Sequence, residues 1–78
     1  MKPSDGELSA LVAQAWRDVL QCSGPSEEDN FFVLGGHSVA GARVLSRLQP
    51  HVPARLSVRL LFDHPVFNEF VAALARLA

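Results

Sequence analysis

Apolar residues recur at helical spacing in three separate stretches of this chain, and no stretch alternates apolar and polar long enough to make a strand. In the first, Leu8, Leu11, Val12, Ala15, Val19 and Leu20 fall three, four or seven apart and define one stripe, with Trp16 beside it as a core residue. Ser4-Asp5-Gly6-Glu7 precedes them and fits a capping box, so a helix should start there. A second helix is expected from Ser38 to Gln49, ended by Pro50, with Pro53 preventing an early restart. Its core face is Gly41, Val44, Leu45 and Leu48; Val39 points nearly opposite, on the side of Arg43 and Ser46. Ser57 can cap a short helix through Phe62, with Val58, Leu60, Leu61 and Phe62 packing inward. Pro65 suits the first turn of a last helix whose stripe is Val66, Phe67, Phe70, Val71, Leu74 and Leu77. The expected architecture is all-α: a small four-helix bundle of three main helices and one short one, with a long loop between helices 1 and 2.

Size limits what such a bundle can do. A chain of 78 residues reads as a single domain spanning residues 1–78, with an ordered core of about 5–77. It should bury only ~60 to 65% of its unfolded surface, which leaves no room for a deep enclosed active site. Cys22 is the only cysteine, which excludes an internal disulfide, argues against a thiolate zinc site and fits a reducing, cytoplasmic setting. The N-terminus has no apolar signal segment and no run approaches the ~20 apolar residues that span a bilayer, so a soluble protein with no membrane role is expected.

A net charge of −1 gives no support for nucleic-acid binding. The distribution is uneven, however. Residues 1–29 hold six acids against Lys2 and Arg17, whereas residues 30–62 hold Arg43, Arg47, Arg55 and Arg59 and no acid.

From Gln21 to His37 the helical period stops, leaving a loop longer than the ~12 to 15 residues usual in compact domains. Phe31, Phe32, Val33 and Leu34 are costly to leave in water, so some of them should pin the loop to the helices. Gly35-Gly36 then turns the chain into the second helix. Ser38 admits two readings on local grounds: a helix N-cap, or an exposed hydroxyl where unpaired amides and the helix dipole tolerate an attached phosphate. A hydrolase nucleophile is disfavoured, because Ala40 stands where the G-x-S-x-G elbow needs glycine. His37, His51 and His64 lie fourteen and thirteen residues apart, with none of the short spacings of a metal site.

The run Asp29-Asn30-Phe31-Phe32-Val33-Leu34-Gly35-Gly36-His37-Ser38 resembles the D-x-F-F-x-L-G-G-H-S signature of the peptidyl carrier, or thiolation, domains of nonribosomal peptide synthetases. The likeness extends to Trp16 through Leu20, to Arg43 through Leu48, and to Leu60-Leu61-Phe62 with Pro65, which is similar to an L-F-x-x-P segment.

The resemblance implies that Ser38 carries 4′-phosphopantetheine, transferred from coenzyme A by a phosphopantetheinyl transferase, with Gly35, Gly36 and His37 as its motif flank. Aminoacyl or peptidyl groups would ride on the arm as thioesters, and the chain itself would be a monomeric, non-catalytic carrier. Adenylation and condensation domains are the implied partners, with thioesterase or tailoring enzymes further along. Val39, Arg43 and Phe62 are the implied partner-contacting residues, Val39 standing where the family usually has leucine. His37, rather than aspartate, resembles carriers that deliver to condensation domains without an epimerisation domain between. Gly41 departs from the larger residues usual in the family and either allows close packing or loosens the second helix. Arg43 and Arg47, one turn apart, suggest a partner with an acidic rim. The alternatives are an acyl carrier of a polyketide or hybrid pathway, whose second helix is commonly acidic, and a helical interaction module in which Ser38 is only a cap.

Overall fold

Ser4 opens the first helix as its sequence predicts: its Oγ accepts from the Glu7 amide at 3.1 Å and its hydroxyl donates to the Glu7 carboxylate at 3.3 Å. A computed structural model describes residues 4–77. Met1, where the expected domain begins, and Ala78 lie outside the described residues. Helix α1 (Asp5–Leu20) ends at Gln21 in left-handed backbone, and α2 (Ser38–Leu48), α3 (Val58–Asp63) and α4 (Phe67–Leu77) follow. This is the expected small all-α bundle. Helix α1 packs on α2 and α4, and the short α3 bridges the same two helices.

Leu8, Val12, Ala15 and Trp16 of α1 meet Val44, Leu45 and Leu48 of α2, Leu61 of α3, and Phe67, Phe70 and Leu74 of α4. Trp16 is fully buried at the middle, with the rings of Phe31 and Phe67 edge-on at 5.0 and 5.3 Å between centroids. Its indole N–H has no hydrogen-bond acceptor among the described residues, a desolvation cost of about 1 to 3 kcal/mol that the aromatic packing must offset.

Phe31 comes from the loop, not from a helix, and is as buried as Trp16. Its amide donates to the Pro65 carbonyl at 2.8 Å, while the carbonyls of Asp29 and Glu27 accept from the amides of Phe67 and Asn68 at 2.8 and 2.9 Å. The loop backbone therefore caps α4. Pro65 is accordingly not in the first turn of that helix, as its type suggests, but two residues before it, where its carbonyl is needed by the loop.

Other expectations shift for similar physical reasons. The second helix does not stop cleanly at Gln49; a 3-10 turn, Gln49–His51, continues it, and Pro50 is tolerated at the start of that turn because it has no amide hydrogen to leave unpaired. The Gln49 side chain then holds the following segment, donating to the carbonyls of Ala54 (2.8 Å) and Val52 (3.3 Å) and accepting from the Leu56 amide (2.8 Å). In α4 the buried face includes Ala73, while Leu77, at the last residue of the helix, is 38% exposed. Phe62 does not pack inward: it is 46% exposed and stacks on Phe32 at 5.4 Å.

Candidate functional site

The loop is built to deliver Ser38 to the surface. The Asp29 carboxylate accepts from the Ser26 amide at 2.8 Å, and the Asn30 side-chain oxygen accepts from the amides of Phe32 (2.9 Å) and Val33 (3.3 Å), bending the chain between them. Leu34 then donates to Asn30, Gly35 to Phe32 and Gly36 to Phe31 through backbone bonds of 3.0 to 3.2 Å. Of the four apolar residues, some of which are expected to pin the loop, Phe31 is buried and Phe32 and Leu34 are half-buried, while Val33 is 82% exposed.

Both motif glycines are required by geometry. Gly35 has φ +101°, a conformation other residues rarely adopt. Gly36 lies flat against Phe31: a Cβ there would come within 2.7 Å of the Phe31 carbonyl oxygen and closer still to its ring. Two residues later the chain has left the core.

His37, not Ser38, is the N-cap of α2. Its backbone is extended, its Nδ1 accepts from the Ala40 amide at 3.4 Å, and its carbonyl accepts from Gly41 at 2.7 Å. Ser38 is the first helical residue and its side chain is exposed, as are those of His37 and Val39. The reading of Ser38 as no more than a cap is thereby overturned, since the residue before it does that job.

The surroundings of Ser38 fit a phosphodiester. The amides of Ser38 and Val39 have no acceptor among the described residues, and the first turn of α2 carries no acidic side chain. Two unpaired N–H groups at the positive end of an eleven-residue helix favour an anion on the adjoining oxygen. Among the described residues no cluster of histidine, cysteine and carboxylate side chains is arranged to hold a metal ion.

Of the residues expected to meet partners, Val39 is 59% exposed and Arg43, one turn further along the same face, is exposed without an ion-pair partner among the described residues. Phe62 presents its half-open ring from α3. Arg47 is different: it pairs with Asp18 of α1 at 3.2 Å, so the two arginines are not equivalent. Gly41 proves to serve close packing, since a Cβ there would sit 3.1 Å from Val58 Cγ2 and 3.2 Å from Leu61 Cδ2.

Sequence reasoning missed the Asn30 turn, the Gln49 clamp and the Asp18–Arg47 pair. An Asn directly before a bulky apolar run that ends in paired glycines is a readable signal of the first; the other two join positions with no local pattern.

Comparison with known proteins agrees with this geometry. Residues 10–74 match the family model described as "Phosphopantetheine attachment site". Malpinin synthetase of Mortierella alpina is 39% identical over 70 residues, and gramicidin S synthase 2 of Brevibacillus brevis is 38% identical over 63, covering 90% and 81% of this chain. The chain spans about 1% of the length of either relative. Among solved structures, a peptidyl carrier protein in complex with the phosphopantetheine transferase Sfp and coenzyme A superposes with a TM-score of 0.81 at 26% identity, covering 97% of each chain. The cofactor of this family is 4′-phosphopantetheine, held covalently and derived from coenzyme A. The chain thus belongs to the phosphopantetheine attachment-site family, as a peptidyl carrier domain of the nonribosomal peptide synthetase kind.

Proposed function

We propose that the Ser38 hydroxyl is the point at which phosphopantetheine is attached, and that the chain serves as a mobile holder of aminoacyl or peptidyl thioesters within a larger synthetase. The observation that carries the reading is the exposed first-turn position of Ser38, with two acceptor-free amides beside it and the glycine pair behind it. In the attachment step the serine oxygen gains a bond to phosphorus as the pyrophosphate bond of coenzyme A breaks; the nucleotide half departs and the hydroxyl proton goes to the transferase. The arm supplies a terminal thiol that carries acyl cargo. This chain's own residues do the rest: His37 starts the helix, Gly35 and Gly36 set the loop against Phe31, and the free amides receive the phosphate charge.

Partners would be a phosphopantetheinyl transferase, an adenylation domain, a condensation domain and, downstream, thioesterase or tailoring enzymes, met by a monomeric carrier in the cytoplasm. Val39, Arg43 and Phe62 are the contacts we assign to them, supported by their exposure and by the absence of an ion-pair partner for Arg43 among the described residues. The chain performs no bond chemistry of its own in this reading; tethering raises the effective concentration of cargo at each partner.

Incubation with coenzyme A and a promiscuous phosphopantetheinyl transferase tests the reading. Intact mass should rise by one phosphopantetheine, and Ser38→Ala should abolish the gain. An unmodified wild-type protein under conditions that modify a known carrier would overturn it.

A further inference from the structure

Val39, Arg43 and Arg47 are spaced four apart and form one stripe along α2, a helix that contains no acidic residue. The two guanidinium groups on that stripe are nevertheless in different states. Arg43 is exposed and has no ion-pair partner among the described residues. Arg47 donates from Nη1 to the Asp18 carboxylate of α1 at 3.2 Å, the only ion pair between two helices among the described residues. It leans toward α1, where it lines a shallow cleft of about 160 Å³ with Leu11, Ala15, Asp18 and Leu48.

Asp18 is itself held in place to receive it. The Gln14 side-chain N–H donates to Asp18 Oδ1 at 2.8 Å, and Arg17 donates to Gln14 Oε1 at 3.0 Å, which fixes the way round that the amide faces. One carboxylate oxygen is thus engaged from within α1 and the other receives Arg47. An exposed ion pair is ordinarily weakened by the entropy of holding two side chains in one geometry; here the shorter of the two is positioned before Arg47 arrives.

We propose that Asp18 withholds Arg47 from acidic partners, so that α2 presents a single cation, Arg43, beside the apolar Val39. The inference rests on the reading of that face as the partner contact. The partner surface that fits is one carboxylate next to an apolar patch, not a run of acids. A second carboxylate ~6 Å further along, four residues of helix away, would have to displace Asp18 to gain a contact. A carrier that visits several partners in turn must also leave each one, and withholding an ionic contact shortens each stay.

NMR spectra of the arginine side-chain Nε–H groups, titrated at low salt with a polyglutamate peptide as the acidic probe, test the proposal. In the wild-type protein the Arg43 signal should move and the Arg47 signal should stay. In Asp18→Asn both should move, with half-saturation at a peptide concentration up to about fivefold lower, the most that an exposed pair is worth. Asp18→Asn/Arg47→Ala should return to the wild-type concentration. Glu69→Gln, which removes the same charge from α4, a helix that does not touch α2, should match the wild type throughout. An Arg47 signal that moves with Arg43 in the wild type overturns the masking and leaves the contact at Arg43 intact. So does an Asp18→Asn protein that binds no more tightly than Glu69→Gln, or a gain that survives the loss of Arg47. A wild-type Arg43 signal that does not move overturns both.

Discussion

Gly36 and Phe31 are in van der Waals contact so close that no side-chain atom fits between them: a Cβ on Gly36 would collide with both the ring and the carbonyl of Phe31. Phe31 in turn lies edge-on to Trp16 and is tied by its amide to Pro65. One glycine thus connects the core to the turn that exposes Ser38. What holds the bundle together also positions the hydroxyl.

Gly36→Ala should therefore cost more stability than Gly41→Ala. At Gly36 the obstructing atoms include backbone, which can yield only by moving the loop, and a loss of about 1 to 3 kcal/mol follows from overpacking. At Gly41 the neighbours are side-chain tips of Val58 and Leu61 at 3.1 and 3.2 Å, and a gain of ~1 kcal/mol in helix propensity opposes their displacement. Urea denaturation of the two variants should rank them in that order.

Phe31→Ala should destabilise by about 3 to 5 kcal/mol, as for other buried aromatics, although Phe31 belongs to a loop. Trp16→Phe should cost markedly less than Trp16→Ala, because it keeps an aromatic at the centre and removes the unpartnered indole N–H. Thermal melts followed by far-UV circular dichroism would check both.

Replacing His37 with Ala should loosen the first turn of α2 by roughly 0.5 to 1 kcal/mol, the low end of capping effects, since its hydrogen bond to Ala40 is long. His37→Ser, which caps the helix with a shorter side chain, should restore most of the loss. Hydrogen exchange at the Ala40 amide reads this directly.

The helices were legible because burying one stripe of each leaves a period in the sequence, and Trp16, Val44 and Phe70 fell where that period put them. The start of α2 at Ser38 was legible but its cap was not, because serine is the commoner cap and the histidine before it carries no such expectation. The expected place of Pro65 failed for a different cause. Carbonyls of Glu27 and Asp29 cap α4, and a backbone group offers no residue type to recognise. The attachment motif was legible as a pattern, whereas the tie between Asp18 and Arg47 arises only when α1 and α2 are brought together.

Arg43 and Arg47 should separate in experiment. Arg47→Ala removes a half-exposed bridge to Asp18 and should change stability by less than about 1 kcal/mol, with no effect on loading. Arg43→Glu should leave the melting curve unchanged and slow aminoacylation by a cognate adenylation domain, the more so at low salt. Equal effects of the two substitutions on loading kinetics would show that the face around Val39 is not the contact.

Fragmentation of the modified protein, to locate the added mass, tests the central claim most directly. The account predicts that all of it resides on Ser38, with none on other exposed serines such as Ser46 and Ser57 or on Cys22. Phosphopantetheine found on any residue but Ser38 would contradict it.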